Sequence, residues 1–337
     1  MPGLSEAAID ALFAPLEGYG RLGLAVSGGP DSLALMLLAA RRAQGARSRF
    51  VVYTVDHGLR PEAAAEAKMV VREAAVLGLP ARALRWEGEK PATGVQAAAR
   101  AARYRLMAQA MTEDGVDLLL TAHHLGDQAE TVLMRLAHGS GIEGLRGMDR
   151  RSVVEGCEIY RPLLGIRPEI LREIVDEAGL TPAADPSNLD PHYERARWRL
   201  MLPALEELGL SLERLGSFAR RMEEASALVH AEAEASWPRI VAPAGTDVAL
   251  DAGRFAALNP AVAVRLLGQV LGQVRGDRSA PPLGALEQLA RRLQARVPLK
   301  RRTLHGCLIF SDGDSIRVCR EGPRGGARRA SGALTAN

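Results

Sequence analysis

Strand-like and helix-like stretches alternate along the chain from residue 21 to residue 122. Apolar, β-rich runs cover 21–26, 50–55, 81–86 and 117–122, and helical patterns cover 31–42, 61–77 and 94–113. Because this order is typical of right-handed βαβ crossovers, it predicts a parallel sheet covered on both faces. We therefore expect an α/β fold, a Rossmann-like parallel sheet with helices on both faces.

The first strand leads into a loop of small residues, Ser27-Gly28-Gly29-Pro30-Asp31-Ser32, which opens an apolar helix. Glycines without Cβ let main-chain N–H groups approach an anion closely, and the first N–H groups of the helix point to the same place. Ser32 can cap the helix or contact phosphate, and Asp31 can hold a metal ion. The lysine of a Walker A loop is absent, which argues against a P-loop NTPase. A tight strand-to-helix turn is the alternative, but the flanking serines and the aspartate favour a phosphate site.

Polar residues follow two further predicted strands, at the edge where open α/β sheets bind ligands. Asp56 can accept a hydrogen bond from ribose or adenine, or it can form a turn with His57 and the next glycine. His57 and His123 can contact phosphate or move a proton, because the ordinary pKa of histidine lies near neutral pH. Either histidine can equally be packed and neutral.

His123, Asp127 and Glu130 are spaced i, i+4 and i+7, which predicts one face of a helix that starts at a strand end. Asp31 and Asp127 can supply the one or two carboxylates that Mg²⁺ needs when phosphate and water provide its other ligands. Glu130 can instead take the ammonium group of an amino-acid substrate. Carboxylates at a helix start can also simply complement its dipole.

Basic residues concentrate in the last third of the chain. Residues 238–337 hold 16 Lys and Arg against 7 Asp and Glu, although the whole chain has a net charge of only +3. An excess of basic residues in one part of the chain is typical of a protein that binds a polyanion. The densest basic cluster is Arg291, Arg292, Arg296, Lys300, Arg301 and Arg302, and a solvated surface is the alternative interpretation of such a run. Arg100, Arg103 and Tyr104 share a helical face suited to a triphosphate or to a nucleic-acid backbone, or to solvent.

Helical spacing over 211–229 predicts a long connecting helix, after which a smaller α+β domain begins near Trp237-Pro238. That domain has helical patterns over 260–274 and 282–295 and then a meander with turns at His305-Gly306 and Asp312-Gly313. We expect domains at 1–205 and 237–321, a helical linker at 206–236 and a disordered tail at 322–337. Three unpaired cysteines indicate no disulfide framework or metal–sulfur site. With no spanning segment and no basic leader, the chain is expected to be soluble and cytoplasmic, with no membrane partner.

Several segments together resemble the tRNA(Ile)-lysidine synthetases, which are PP-loop ATP pyrophosphatases of the adenine nucleotide α-hydrolase type. These segments are the loop 27–32, Val55-Asp56-His57-Gly58-Leu59-Arg60, Arg100 with Arg103-Tyr104, Thr121-Ala122-His123-His124, Asp127-Gln128-Ala129-Glu130-Thr131, Gly139-Ser140-Gly141 with Gly144-Leu145, Arg161-Pro162-Leu163-Leu164, and Asp185-Pro186-Ser187-Asn188 with Tyr193, Arg195, Arg197 and Arg199. Two positions depart from the family pattern, Gly126 in place of an aspartate and Ala196 in place of an asparagine.

The resemblance implies that the enzyme binds ATP, Mg²⁺, L-lysine and the CAU-anticodon tRNA(Ile), and that it converts the wobble cytidine to lysidine through an adenylated base. It implies a PP-loop ATP-binding domain at 1–205 and a tRNA-contacting domain at 237–321. The implied ATP-binding residues are Ser27, Gly28, Gly29, Pro30, Asp31, Ser32, Asp56, His57 and Arg100. The implied catalytic residues are Asp31, His123, Asp127 and Glu130, with Asp31 and Asp127 on the metal, and the implied tRNA-binding residues are Arg195, Arg199, Arg291, Arg292, Arg301 and Arg302.

Three other functions compete with this interpretation. A tRNA thiolase with the same loop would need paired cysteines for sulfur transfer. A small-molecule ligase or amidotransferase would not need a basic second domain. A nucleotide-binding regulator that docks on RNA would bind ATP without consuming it. The resemblance leaves a homodimer open.

Overall fold

The computed structural model describes residues 4–43, 49–183, 190–244, 247–276, 279 and 281–321. The chain divides into two compact units. Unit 1 comprises residues 1–139 and 144–221, and unit 2 comprises residues 140–143 and 222–337. The predicted disordered tail at 322–337 lies outside the described residues, as does the segment 184–189 that includes Asp185, Ser187 and Asn188.

Helices and strands alternate in unit 1, as the sequence predicts. The helices as far as residue 240 are α1 (Glu6–Phe13), α2 (Pro30–Ala43), α3 (Ala63–Val76), α4 (Val95–Asp114), α5 (Leu125–Ala137), α6 (Ile142–Leu145), α7 (Pro168–Glu177), α8 (Glu194–Glu207) and α9 (Leu212–Ile240), of which α6 and α9 include residues of both units. The strands are β1 (Leu22–Ala25), β2 (Phe50–Asp56), β3 (Ala81–Arg85), β4 (Leu118–Leu120), β5 (Arg151–Val154) and β6 (Cys157–Tyr160). A short 3-10 turn, Ala14–Leu16, follows α1.

The strands of unit 1 form one sheet in the order β3-β2-β1-β4-β6-β5. All neighbours pair in parallel except β5, which forms an antiparallel hairpin with β6 that the sequence patterns did not predict. The winding reverses between β1 and β4, since β2 and β3 lie on one side of β1 and β4 lies on the other. In open α/β sheets, ligands bind outside the carboxyl ends of the strands at such a reversal. This confirms the predicted Rossmann-like sheet and points to the ends of β1 and β4.

The start of α5 differs from the sequence prediction. His124 takes extended dihedrals and caps the helix, which begins at Leu125. His123 therefore lies before the start of the helix, and the predicted shared helical face of His123, Asp127 and Glu130 is wrong. The physical reason is the capping contact: the ring of His124 satisfies the first free N–H groups of α5, and a helix cannot extend past its capping residue.

Unit 2 contains the rest of α9 and an antiparallel sheet with helices. Its elements after α9 are β7 (Val241–Ala244), β8 (Asp247–Asp251), α10 (Ala252–Ala256), α11 (Pro260–Arg275), α12 (Leu283–Gln294), β9 (Leu299–Leu304), β10 (Cys307–Ser311) and β11 (Ser315–Arg320). The sheet order is β7-β8-β11-β10-β9, which confirms the predicted meander, while β7 and β8 were not predicted. The long helix α9 continues through Pro238, beyond the predicted end of its pattern, and the division between units falls within it, after Arg221.

Within the described part of the chain, none of the helices combines the length and apolar character needed to cross a membrane.

Candidate active site

The loop at residues 27–32, which we call the glycine loop, is held in shape by its own serines. The Ser32 hydroxyl donates to the Gly29 carbonyl at 2.9 Å and accepts from the Ser27 N–H at 3.2 Å. Gly28 has a φ of +91°, and a Cβ there would lie 3.1 Å from Met69 Cε, so the position requires glycine. The loop therefore presents a preformed main-chain turn at the start of α2, as an anion cradle requires.

His124 connects this loop to α5 through its two ring nitrogens. Nδ1 accepts from the N–H groups of Gly126 at 3.0 Å and Asp127 at 3.3 Å, and the His124 N–H donates to Asp127 Oδ2 at 3.0 Å. These contacts assign the ring proton to Nε2, which lies 3.6 Å from both Asp31 Oδ2 and Asp127 Oδ2. His124 thus joins two predicted catalytic carboxylates. Sequence reasoning had not chosen it as a site residue, although the paired histidines after a strand were a usable signal.

Gly126, which departs from the family pattern, makes room for this cap. A Cβ at residue 126 would lie 2.9 Å from His124 Cε1, closer than side chains normally approach. The His124 ring can fold over the helix start because residue 126 has no side chain.

The charges of this group depend on one another. Burial disfavours the charged ring of His124, but its contact with Asp31 and the negative charge of Asp127 outweigh burial and raise the pKa of His124. Burial likewise opposes ionisation of Asp127, but the interaction with His124, the positive charge of Arg195 and the hydrogen bond from the His124 N–H outweigh it and lower the pKa of this carboxyl group. Asp127 is therefore negative at neutral pH.

His123 lies beside this group and has a different environment. Its Nδ1 is 2.9 Å from the Thr121 hydroxyl. Burial, reinforced by the positive charges of Arg161, Arg195 and Arg100, lowers the pKa of His123 to about 4. Its imidazole is neutral at pH 7, so it is available as a hydrogen-bond partner or proton acceptor there.

Glu130, on α5, is held by two arginines of α8. Arg195 Nε donates to Glu130 Oε2 at 2.8 Å, and Arg199 Nε donates to Oε1 at 2.6 Å. The carboxylate is 1% exposed, whereas the arginines are 41% and 37% exposed. Asp127 Oδ1 lies 3.8 Å from Arg195 and 3.6 Å from Arg199. The structure therefore joins two residues predicted to bind tRNA to two residues predicted to be catalytic.

The remaining predicted nucleotide-binding residues lie at the ends of neighbouring elements. Asp56 ends β2 and accepts a hydrogen bond from the Gly58 N–H at 2.9 Å, which is the turn geometry considered as the alternative. Arg100, on α4, is exposed, and its guanidinium lies 5.1 Å from the centre of the Tyr104 ring. Arg103 lies 5.6 Å from the same ring, which places all three residues on one face of α4 as predicted.

The carboxylates present suit a loosely held Mg²⁺. Asp31, in the first turn of α2, is 34% exposed and belongs to the glycine loop, where phosphate oxygens would complete the coordination. Asp127 is less available, since its Oδ2 already accepts from the His124 N–H. Among the described residues, no group of three or more His, Cys, Asp and Glu side chains has the arrangement of a protein-only metal site.

The four predicted tRNA-binding arginines of unit 2 lie on two elements. Arg291 and Arg292 occupy the last turn of α12, and Arg301 and Arg302 lie on β9. All four are exposed, and β9 is an edge strand of the sheet.

Comparison with known sequences defines the class of this domain. A sequence model of the PP-loop domain family matches residues 4–205, which contain the glycine loop and α5. A solved structure of the U34-tRNA thiolase NcsA from Methanococcus maripaludis, with its [4Fe-4S] cluster, aligns with 65% of this chain and 78% of that chain. The TM-score is 0.54 at 16% identity, so this likeness concerns the fold alone. Unit 1 is a PP-loop ATP-binding domain.

Curated relatives extend the match to unit 2. The tRNA(Ile)-lysidine synthase of Rhodopseudomonas palustris is 43% identical over 98% of this chain and 100% of its own length. The same enzyme of Bradyrhizobium sp. is 41% identical over 95% of this chain and 96% of its own length, and that of a Methylobacterium species is 44% identical over 91% of both. The chain belongs to the tRNA(Ile)-lysidine synthase family, whose members are PP-loop ligases of tRNA modification.

Proposed function

We propose that this enzyme joins L-lysine to C2 of the wobble cytidine of the CAU-anticodon tRNA(Ile), at the expense of ATP. The observation that carries the proposal is the junction of the glycine loop with the Asp31–His124–Asp127 group. At this junction the proposed phosphate-binding loop lies beside carboxylates that can bind a metal ion or an amine. The chain is also related to lysidine synthases over its full length.

In the first step, the O2 atom of cytosine attacks the α-phosphorus of ATP, and the bond to the leaving pyrophosphate breaks. Negative charge develops on the pyrophosphate. The N–H groups of the glycine loop and the start of α2 stabilise this charge. Mg²⁺ held by Asp31 supplies further neutralisation when bound.

In the second step, the lysine ε-amine attacks C2 of the adenylated base, and AMP leaves with the former O2 atom. Only the neutral amine is nucleophilic, so its ammonium form must first lose a proton. Asp127 or Glu130 would hold the ammonium group. The contacts favour Asp127, because Arg195 and Arg199 donate hydrogen bonds to both oxygens of Glu130 at 2.8 and 2.6 Å but lie 3.8 and 3.6 Å from Asp127. Asp127 is also the carboxylate whose pKa is held low, which suits it to pair with a cation.

Recognition of one anticodon requires the target base to leave its stack and a distant surface to bind the rest of the tRNA. The exposed arginines of α12 and β9 are the proposed surface, and Arg195 and Arg199 are the proposed contacts near the base. The three cysteines lie on β6, β10 and β11, in two units, and form no pair that would support sulfur transfer.

The decisive assay mixes the protein with Mg-ATP, labelled lysine and total tRNA. We expect label in one tRNA species, with AMP and pyrophosphate released in equal amounts. Incorporation of sulfur instead of lysine would indicate a thiolase, and ATP binding without AMP formation would indicate a regulator. In the same assay Asp31→Ala should abolish pyrophosphate release, and normal turnover by this variant would remove Asp31 from the mechanism.

A further inference from the structure

Arg161 follows β6 directly and is one of the few charged residues buried in unit 1, with 5% of its surface exposed. Its Nη1 donates to the Asp149 carbonyl at 2.6 Å and to the Ser152 hydroxyl at 3.0 Å. Its Nε is buried and has no hydrogen-bond partner among the described residues. A guanidinium has five N–H donors, so this one is only partly satisfied.

Among the described residues, Arg161 also forms no ion pair. Its two acceptors are a carbonyl and a hydroxyl, both neutral, whereas Arg195 and Arg199 contact the carboxylate of Glu130. A buried cation without a counter-ion is strongly unfavourable, so such groups are normally paired. Burial lowers the pKa of Arg161, and Tyr104, Asp149 and Asp127 offset this effect only in part.

The position of Arg161 places it at the active-site edge of the sheet. The Tyr160 carbonyl accepts from the Thr121 N–H at 3.0 Å, so the chain after β6 runs beside the segment that holds Thr121 and His123. Arg161 and Arg100 both contribute to the lowered pKa of His123, and Arg100 also lowers the pKa of Arg161. Positive charge from Arg161 and Arg100 is thus concentrated at this edge, although Asp127 offsets part of it.

We propose that Arg161 is a phosphate-binding residue of this active site, and that with Arg100 it receives a phosphate group of a substrate. The planar guanidinium is suited to phosphate because adjacent N–H groups can bind two oxygens at once. The inference rests on the proposed function for the source of the phosphate, which is either the ATP triphosphate or the tRNA backbone next to the wobble base. The hydrogen bonds to the Asp149 carbonyl and the Ser152 hydroxyl fix the side chain of Arg161 and leave its Nε free for a ligand.

The test uses the full-length protein and three variants. Arg161→Gln removes the charge but keeps a donor for the Asp149 carbonyl, and Arg161→Lys keeps the charge but loses the planar fork. The matched control is Arg135→Gln, because Arg135 also donates through Nη1 to two carbonyls, those of Gly144 and Gly147, and burial also lowers its pKa. Binding of inorganic tripolyphosphate, ATP and tRNA is measured by calorimetry or filter retention, and thermal melting confirms folding.

Loss of charge-assisted hydrogen bonds predicts that Arg161→Gln weakens binding of at least one probe about 10-fold or more. Arg161→Lys should weaken binding less than Arg161→Gln does. Arg135→Gln should keep an affinity for every probe within about 2-fold of the wild type. Weaker binding of tripolyphosphate and ATP assigns the phosphate to the nucleotide, and weaker binding of tRNA alone assigns it to the RNA backbone. If Arg161→Gln does not fold, Arg161→Lys tests the inference instead, because loss of the planar guanidinium alone should still weaken phosphate binding several-fold.

Unchanged affinity of a folded Arg161 variant for all three probes would overturn the inference, as would an equal loss in Arg135→Gln. Tripolyphosphate binding does not require lysine transfer. Failure of the wild type to modify tRNA therefore contradicts the proposed function without deciding the role of Arg161.

Discussion

His124 performs two tasks with two different nitrogens, and substitutions can separate them. Nδ1 caps α5, while Nε2 faces Asp31 and Asp127. Asparagine is a good N-cap but does not reproduce the Nε2 contact. Alanine can neither cap the helix nor make that contact. We expect His124→Asn to change the free energy of unfolding by less than about 0.5 kcal/mol and His124→Ala to lower it by about 1–2 kcal/mol. Both should reduce pyrophosphate release.

Urea unfolding and a pyrophosphate assay on the two variants measure these effects. Equal stability of the two variants would show that the capping contact contributes nothing. Full activity of His124→Asn would show that Nε2 plays no part in placing Asp31 and Asp127.

His123 should make the stability of the protein depend on pH in a defined window. Its pKa is lowered from 6.5 to about 4 on folding. Between these values the unfolded chain binds a proton that the folded chain does not, so the free energy of unfolding falls as the pH falls through this window. His123→Asn removes this titration, so the free energy of unfolding should change by about 2–3 kcal/mol less between pH 6.5 and pH 4 than in the wild type.

The measurement is urea unfolding at a series of pH values. The control is His192→Asn, which makes the same substitution at an exposed histidine in the segment before α8, outside the candidate site. An identical pH slope in wild type and His123→Asn would mean that the ring of His123 is not kept neutral by its surroundings.

At the level of elements, β1 depends on close approach at Gly23. A Cβ there would lie 2.9 Å from Tyr53 Cε2 and 3.1 Å from Leu119 Cδ1, on the two strands that flank β1. Gly23→Ala should therefore cost about 1–3 kcal/mol by overpacking. Gly18→Ala, where a Cβ meets nothing within 4 Å, should stay within about 0.5 kcal/mol of the wild type. Chemical denaturation compares the two, and equal costs would mean that the sheet adjusts to the added methyl group.

The same elements show how far sequence reasoning reaches. Alternating periodicity and the glycine loop predicted β1 to β4 and α2 to α4, because apolar strands between amphipathic helices are strong local signals. The β5–β6 hairpin was not predicted, because β5 is only four residues long and its side chains alternate between exposed and half-buried. The binding of Glu130 by Arg195 and Arg199 could not be predicted, since the partners lie 65 and 69 residues apart and meet only through packing of α5 on α8. The role of His124 was missed because the helix start was placed too early.

For the molecule as a whole, the exposed arginines of α12 and β9 in unit 2 predict salt-dependent binding of tRNA that does not depend on the ATP site. Arg291, Arg292, Arg301 and Arg302 are exposed, and among the described residues only Arg291 of these four forms an ion pair, with Glu287 at 3.5 Å. Replacing all four with glutamine should weaken tRNA binding. It should also reduce the slope of the logarithm of the tRNA binding constant against the logarithm of the salt concentration, by up to about 0.7–0.9 for each RNA phosphate that is no longer neutralised. ATP affinity should stay unchanged, because the substitutions lie in unit 2 and the glycine loop lies in unit 1.

A matched control replaces four exposed arginines of unit 1, Arg41, Arg72, Arg105 and Arg172, with glutamine. Filter binding at several salt concentrations should give this control the wild-type slope, since these residues lie outside the proposed surface. If the fourfold variant keeps the wild-type slope, unit 2 does not bind the RNA backbone through α12 and β9. If the control loses as much as the fourfold variant, the effect reflects the total charge of the protein. A smaller slope in the fourfold variant alone, with lysine transfer restored at high tRNA concentration, would assign these arginines to capture of tRNA and leave the chemistry to unit 1.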